Sequence, residues 1–366
     1  MKKKKTIVIL SIGSIISMFL VVGLYLLSED IIHRQRDVFI RRYPHHIANQ
    51  ENALDLGYNS YYIAGVADGK IYLGNRSAPA HLVVLDTTLK DTTHVKINIA
   101  DTELRFNKPV IRVNPPNFFV LDGKAAIVLK GNTSNWIASL MLKDKAYFSK
   151  VEPMGNSSFA LLAKSAATKE NVLGKISVND SVEVNLYPNL LQKQIDGVFC
   201  TDGMLLYERE IQKLIYVYYY RNEFIVADAN LKQEYIGKTI DTISKAQIKV
   251  ENIQSENSYT LGGQPLVVNK QSFIYKNYLF ISSNMLGKYE NASMLNQASI
   301  IDVYDINDNT YKFSFYLYKY KLKKLYEFQV YDNLVIAIED KYIVTHKLRK
   351  TPFEGMKLAE KKTDFK

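Results

Sequence analysis

The chain has 366 residues and a formal net charge of +10, a length that allows one large domain or two ordinary ones behind the N-terminal segment. Its single cysteine, Cys200, excludes an intrachain disulfide framework and any multi-cysteine metal site. Lys2–Lys5 supply four of the positive charges, and later basic residues such as Lys347, Arg349 and Lys350 are interspersed with acids, so no nucleic-acid partner is expected.

The N-terminus carries a basic tail, residues 1–5, followed by an uncharged run from Thr6 to Leu27. As a helix, about 22 residues cover about 33 Å, enough for a bilayer core of about 30 Å. No face of the run is polar, which argues against a buried globular helix. Tyr25, Leu26 and Leu27 lead directly into Ser28 and Glu29 without a small-x-small cleavage site, so an uncleaved transmembrane anchor is expected over a cleaved export signal. The lysine tail resists translocation and puts residues 1–5 in the cytoplasm and the rest outside. Arg34, Arg36, Arg41 and Arg42 flank the other end and weaken that bias. The expected placement is a bacterial inner membrane, spanned once, with the remaining chain in the periplasm. Residues 28–57 read as a juxtamembrane linker and 351–366 as a charged C-terminal tail.

From Tyr58 to Lys350 the chain is a succession of short alternating or apolar runs rich in Tyr, Ile, Val and Phe, broken by Gly, Asn and Asp. YYIAGV, KIYLG, HLVVLD, AAIVLK, EFIVAD, YLFISS and NLVIAIED are examples. These are strands, and no long capped amphipathic helix pattern interrupts them. The class is therefore all-β.

One phrase recurs. VVLDTTLK (Val83–Lys90) returns as IVADANLK (Ile225–Lys232), with Asp, Leu and Lys in the same places. An Asp at the end of a strand accepts from backbone N–H groups two residues on and fixes the bend into the next strand. Weaker copies place Asp144, Asp180 and Asp305, and IVTHKLRK keeps the strand without the acid. From Asp86 the intervals are 58, 36, 48 and 77, then 43 to Leu348, the long one holding the insertion MLGKYENASMLNQ. A period near 50 with about four short strands per unit marks propeller blades, here six. Two unrelated β-sandwiches are the competing arrangement. The first unit reads as strands Tyr61–Val66, Lys70–Gly74, His81–Asp86 and Thr93–Ile99. The last unit lacks a fourth strand, which Ile47–Leu56 would supply to close the ring.

The sequence of strand, DGK-type turn, IYLGN strand and HLVVLD strand resembles the blades of six-bladed TolB-like and NHL-like β-propellers, including exported propellers of Bacteroidota. No lipobox cysteine follows the apolar run, unlike the lipoproteins of that kind. The resemblance implies a binding or scaffold role more often than catalysis.

Chemistry-bearing motifs are sparse. The histidines have no HxxxH or HExxH spacing, and His45 and His46 would point apart on a strand, so no metal site and no cofactor are expected. There is no GxSxG elbow; GNTSNW is a loop and LGGQP a turn. The loop Asn75–His81 and the insertion Met285–Gln297 join the second and third strands of the first and fifth units. In a propeller they open on one face, making Arg76, His81, Lys288, Tyr289 and Glu290 candidate ligand-binding residues at the channel mouth. The run Tyr311–Lys324 reads as an outer strand with Lys stems over Tyr faces. The expected function is non-catalytic binding of a protein, peptide or glycan partner. The alternative is a propeller hydrolase or lyase with a divalent metal at the channel mouth.

Overall fold

The structure, a computed structural model, describes residues 2–26, 38–101, 103–253, 258–349 and 353. Leu27 of the expected anchor, the linker residues 28–37, with Arg34 and Arg36, and the C-terminal tail apart from Phe353 lie outside the described residues. Lys2–Leu26 form one helix, α1. Its large apolar side chains from Leu10 to Leu24 are exposed on every side. Among the described residues, no helix is long and apolar enough to cross a membrane.

After β1 (Ala48–Asp55) the chain builds six blades in sequence. Blade 1 is β2 (Tyr61–Ala67), β3 (Lys70–Asn75), β4 (His81–Asp86) and β5 (Thr92–Lys96). Blade 2 gains a fifth member, β6 (Asn98–Ile99), outside β7 (Val110–Asn114), β8 (Asn117–Asp122), β9 (Ile127–Asn132) and β10 (Ile137–Lys143). Blade 3 is β11 (Lys150–Pro153), β12 (Ser158–Lys164), β13 (Asn171–Val178) and β14 (Val182–Tyr187). Blade 4 is β15 (Gly203–Glu208), β16 (Lys213–Tyr218), β17 (Glu223–Asp228) and β18 (Gln233–Lys238). A hairpin, β19 (Val250–Ile253) and β20 (Ser258–Leu261), stands between blades 4 and 5. Blade 5 is β21 (Asn269–Tyr275), β22 (Tyr278–Ser283), β23 (Ala298–Asp305) and β24 (Thr310–Tyr318), with a short α2 (Met294–Gln297) in its insertion. Blade 6 is β25 (Leu325–Tyr331), β26 (Leu334–Glu339) and β27 (Tyr342–Leu348), and β1 is its outermost strand. The protein is an all-β six-bladed propeller.

Among the described residues, six of the core clusters lie one in each interface between neighbouring blades. Ile336, Ile338 and Ile343 of blade 6 pack on Ile63, Ile71 and Leu73 of blade 1. Tyr62 and Leu82 pack on Ile111 and Phe118 across the next interface, and the series continues to the interface of blades 5 and 6. Strands this apolar on both faces follow from stacking, because a blade is covered on each side by its neighbours. Each buried Leu, Ile or Phe contributes about 1.5–3 kcal/mol, so the interfaces dominate stability. At the centre, inner strands approach closely: a Cβ on Gly65 would lie 2.1 Å from the Val113 carbonyl oxygen.

The repeated phrase is one turn used twice. Asp86 ends the third strand of blade 1, and its carboxylate accepts from the N–H groups of Thr88, Lys90 and Asp91. Asp228 ends the third strand of blade 4 and accepts from Asn230 and Lys232. Leu89 and Leu231 take the same left-handed conformation, φ 59° in both. Asp305 plays the part in blade 5 through Asn307. Asp144 does not: it follows the fourth strand of blade 2, and the equivalent residue is Asn132, whose side chain accepts from Ser134. The uneven intervals came from that substitution of amide for acid. The long interval holds the β19–β20 hairpin as well as the Met285–Gln297 insertion.

Ring closure begins upstream of β1, with a strap along blade 5. Phe39 packs on Leu266, Val268 and Met285, and its carbonyl accepts from Lys288 N–H at 2.9 Å. Arg41 is buried, with Nε and Nη2 at 2.6 and 3.0 Å from the two Asp302 oxygens. Nη1 donates to Glu290 Oε2 at 2.7 Å and to the Met285 carbonyl at 3.0 Å, and Nη2 also donates to Ser283 Oγ. Burial alone would lower the Arg41 pKa, but the charges of Asp302 and Glu290 outweigh it and hold the guanidinium above its usual value. The Arg42 carbonyl accepts from Ser314 N–H at 2.8 Å, and Tyr43 stacks on Tyr316 with ring centroids 4.5 Å apart. The strap thus covers the edge of β24 before β1 pairs with β27. Removing residues 38–56 exposes both edges, so a chain beginning at Gly57 is expected to aggregate or melt well below one beginning at Val38. Equal thermal midpoints and equal solubility of the two would contradict the role of the strap.

His346, on β27, is buried and its Nε2 has no hydrogen-bond partner among the described residues. Burial lowers its pKa from 6.5 to about 4. The unfolded chain binds the proton more readily, so stability from this group is present above pH 6.5 and lost as pH falls towards 4. Glu339, buried and raised to about 7 chiefly by burial, titrates nearby with the opposite sign. The readout is therefore a difference between proteins. Denaturant unfolding at pH 7 and pH 5 is expected to show His346→Leu losing about 2 kcal/mol less than the parent protein over that interval, and identical pH dependence would refute the assignment.

Candidate functional site

Apart from β6, which runs parallel to β10, every blade has the same antiparallel strand order, so the inner strands β2, β7, β11, β15, β21 and β25 all begin at one face. The loops between second and third strands open on that face too. Arg76 and His81 lie there on blade 1, and Lys288, Tyr289 and Glu290 on blade 5. Blade 6 stands between them. Among the described residues, no hydrogen bond, ion pair or ring contact joins the two groups.

Glu290 is turned inward. Besides Arg41, its carboxylate accepts from Tyr43 Oη at 2.7 Å and Gly287 N–H at 2.9 Å, which makes it part of the strap's anchorage. Tyr289 is 74% exposed, with the Lys288 ammonium 5.3 Å from its ring centre. His81 is half-buried, with Nε2 3.0 Å from His94 Nδ1 and the two rings stacked. Burial, and then the neighbouring imidazole, lowers its pKa.

The mouth itself is lined by charges on the inner strands and beside them. Arg112 of β7 pairs with Glu152 of β11 at 3.0 Å. Lys150 pairs with Asp202, just before β15, and lies 5.0 Å from the centre of the Tyr219 ring. Glu327 of β25 accepts from the Ile63 N–H across the closure of blades 6 and 1, and Gln329 Nε2 reaches the Ile63 carbonyl. Arg76 covers Tyr62 at 4.9 Å, and Tyr62 Oη accepts from the Ile111 N–H at 2.7 Å. Burial pushes the Glu327 carboxyl up, while the Ile63 N–H and the charges of Arg112 and Arg76 pull it back. The Glu152 charge raises Arg112. Of the five expected residues, then, Arg76 adjoins this cluster.

Arg112, Glu152, Lys150, Asp202 and Glu327 were missed at the level of sequence. For Arg112 and Glu327 the signal is a charge inside an otherwise apolar inner strand, VIRVN and LYEFQVY. Such a residue meets the inner strand of the neighbouring blade: Arg112 reaches Glu152 of β11, and Glu327 reaches the Ile63 N–H of β2. The arrangement presents three cations and three anions, largely paired with one another. Among the described residues, no group of three or more His, Cys, Asp and Glu side chains could hold a metal ion. The aromatic and basic run from Tyr311 is the outer strand β24, its edge covered by the strap; beyond it Lys321 lies over Tyr320 and Tyr342.

No protein-family model matches the chain, and no curated protein matches it. Among solved structures it is similar to a member of the DUF4221 family from Bacteroides vulgatus, at 11% identity over 86% of this chain and 99% of that one, with a TM-score of 0.49. It is also similar to a catalytically inactive virginiamycin B lyase from Staphylococcus aureus, at 11% identity over 81% and 99%, TM-score 0.46, and to BamB from Moraxella catarrhalis, at 10% identity over 86% and 98%, TM-score 0.39.

Proposed function

We propose that this protein is a membrane-tethered, extracytoplasmic propeller that binds a protein, peptide or glycan partner without catalysis, and that the channel mouth is the recognition surface. The observation that carries the reading is the mouth's charge pattern. Arg112 with Glu152 and Lys150 with Asp202 are neutralised in pairs, so no charged side chain of these pairs is left as an unengaged acid, base or nucleophile. Exposed Arg76 and half-buried Glu327 add one charge of each sign at the rim. Such a surface suits a partner carrying both charges, and it gives orientation and on-rate more than bulk affinity.

The tether is the run Thr6–Leu27, whose apolar side chains from Leu10 to Leu24 are exposed and need cover that water does not provide. In a bacterial inner membrane the Lys2–Lys5 end stays in the cytoplasm and the propeller lies in the periplasm. The strap meets the propeller at the Phe39 contact with the 285–290 loop, on the mouth side.

Alkaline phosphatase fused after Lys366 is expected to be active; a well-expressed but inactive fusion would place the propeller in the cytoplasm. For the mouth, Arg76→Glu reverses an exposed charge that makes no ion pair among the described residues and should leave the melting temperature unchanged. Pull-down from detergent-solubilised membranes with the two proteins side by side is expected to lose its specific partner in the variant. Identical recovery would remove the mouth as the recognition surface.

A further inference from the structure

The packing between blades 1 and 2 leaves a gap on the face opposite the mouth. A groove of about 390 Å³ opens there at the outer rim, within the size range of small-ligand sites. Its floor is Tyr72, and its wall is half-buried Trp136, the two rings 6.1 Å apart at 49°. Trp136 is held from behind by Phe118, at 5.1 Å. Its backbone is fixed too, the N–H donating to the Asn132 carbonyl and the carbonyl accepting from Asn98. The aromatic wall is therefore built before any ligand arrives.

Polar groups surround these rings on one side of the blade 1 sheet. Lys70 opposes Asp86 across β3 and β4, Tyr72 opposes Val84, and Val84 opposes Thr93 on β5, so their side chains share the face that looks at blade 2. Asp86 is consumed by its own turn. Lys70 Nζ, Tyr72 Oη, Thr93 Oγ1 and the Asp91 carboxylate have no hydrogen-bond partner among the described residues. An aromatic platform ringed by one cation, one free carboxylate and hydroxyls, all open to a ligand, is chemistry for a hydroxyl-rich ring: C–H faces lie on Trp136 while hydroxyl groups donate to Asp91 and accept from Lys70. With Asp86 counted, the groove carries one more negative than positive charge, which disfavours an anionic ligand.

From this juxtaposition we propose that the groove between blades 1 and 2 binds a neutral carbohydrate, one or two hexose units in length. The site is separate from the mouth and does not depend on what binds there.

Trp136 is the chain's only tryptophan, so intrinsic fluorescence reports on this groove directly. The full-length protein in detergent is titrated with maltose, cellobiose, lactose and N,N′-diacetylchitobiose. At least one is expected to change the emission saturably with a millimolar midpoint. Asp91→Asn and Tyr72→Phe, which remove free groups and break no internal bond, should each weaken that midpoint about tenfold, with the melting temperature unchanged. Arg76→Glu should leave it unaltered, which separates failure of this site from failure of the mouth. Absence of a saturable change with any of the four sugars up to about 50 mM, a free energy of only about 2 kcal/mol, would overturn the proposal. So would a response that persists unchanged in the Asp91→Asn, Tyr72→Phe double variant.

Discussion

Seven residue pairs join β1 to β27, from Ala48 opposite Leu348 to Asp55 opposite Tyr342, and through them the two ends of the propeller become neighbours. A ring of stacked blades has no terminal repeat to cap it, so its last interface exists only if first and last blades meet. The pairing is antiparallel and carries one irregularity, between Gln50 and Asn52. Without it, β27 is left as an edge whose Ile343, Val344 and Thr345 have no cover on their hydrogen-bonding side, a template for another chain. The Leu56 N–H donation to the Lys341 carbonyl at 2.9 Å and the Arg349 N–H donation to Ile47 extend the seam beyond the strand.

The strap makes this closure specific. A buried arginine costs several kcal/mol in desolvation, and its ion pairs offset that only if every donor is met. Arg41 meets the condition: its fork engages Asp302, Glu290, Ser283 and the Met285 carbonyl, Tyr43 satisfies the other oxygen of Glu290, and Ser314 adds a second donor to Asp302 Oδ1. A hydrophobic residue could hold the strap against blade 5 as firmly. It would not fix the register, whereas a bidentate guanidinium accepts one position along the sheet. That register decides where Ala48 arrives, and so which residues of β1 face Tyr342–Leu348.

Closure also creates the mouth. Glu327 stands on blade 6 and its acceptor contact is with Ile63 of blade 1, so one of the three anions of the mouth is placed by the ring seam. The groove between blades 1 and 2 has a different origin. There Trp136 replaces sheet-on-sheet packing along part of one interface, and the polar residues of β3 and β5 remain open to ligand. The two surfaces lie on opposite faces and share no residue, so occupation of one leaves the other available.

Three strands of the first blade were legible from sequence because alternation, Gly and Asn breaks, and Asp turns are local: the expected His81–Asp86 strand is β4, and Asp86 and Asp228 each accept from the N–H groups two and four residues on. The expected fourth strand, Thr93–Ile99, is divided: β5 ends at Lys96, and Asn98–Ile99 joins blade 2 beside β10. The all-β class, the blade count and the β1 closure followed from those local units and the need to hide an edge. What the chain could not display in one dimension was facing. Arg41 read as a charge beside a membrane, yet it lies buried against Asp302, 261 positions away. Glu290 read as a channel-mouth ligand residue, yet it is the other acid of that cluster. Arg112, Glu152 and Glu327 carried no reading in one dimension, yet the closed ring joins Arg112 to Glu152 and Glu327 to the Ile63 N–H across neighbouring inner strands. Periodicity reports which residues share a face of one strand; the angular placement of the blades decides what that face meets, and contacts across hundreds of residues exist only once the ring is closed.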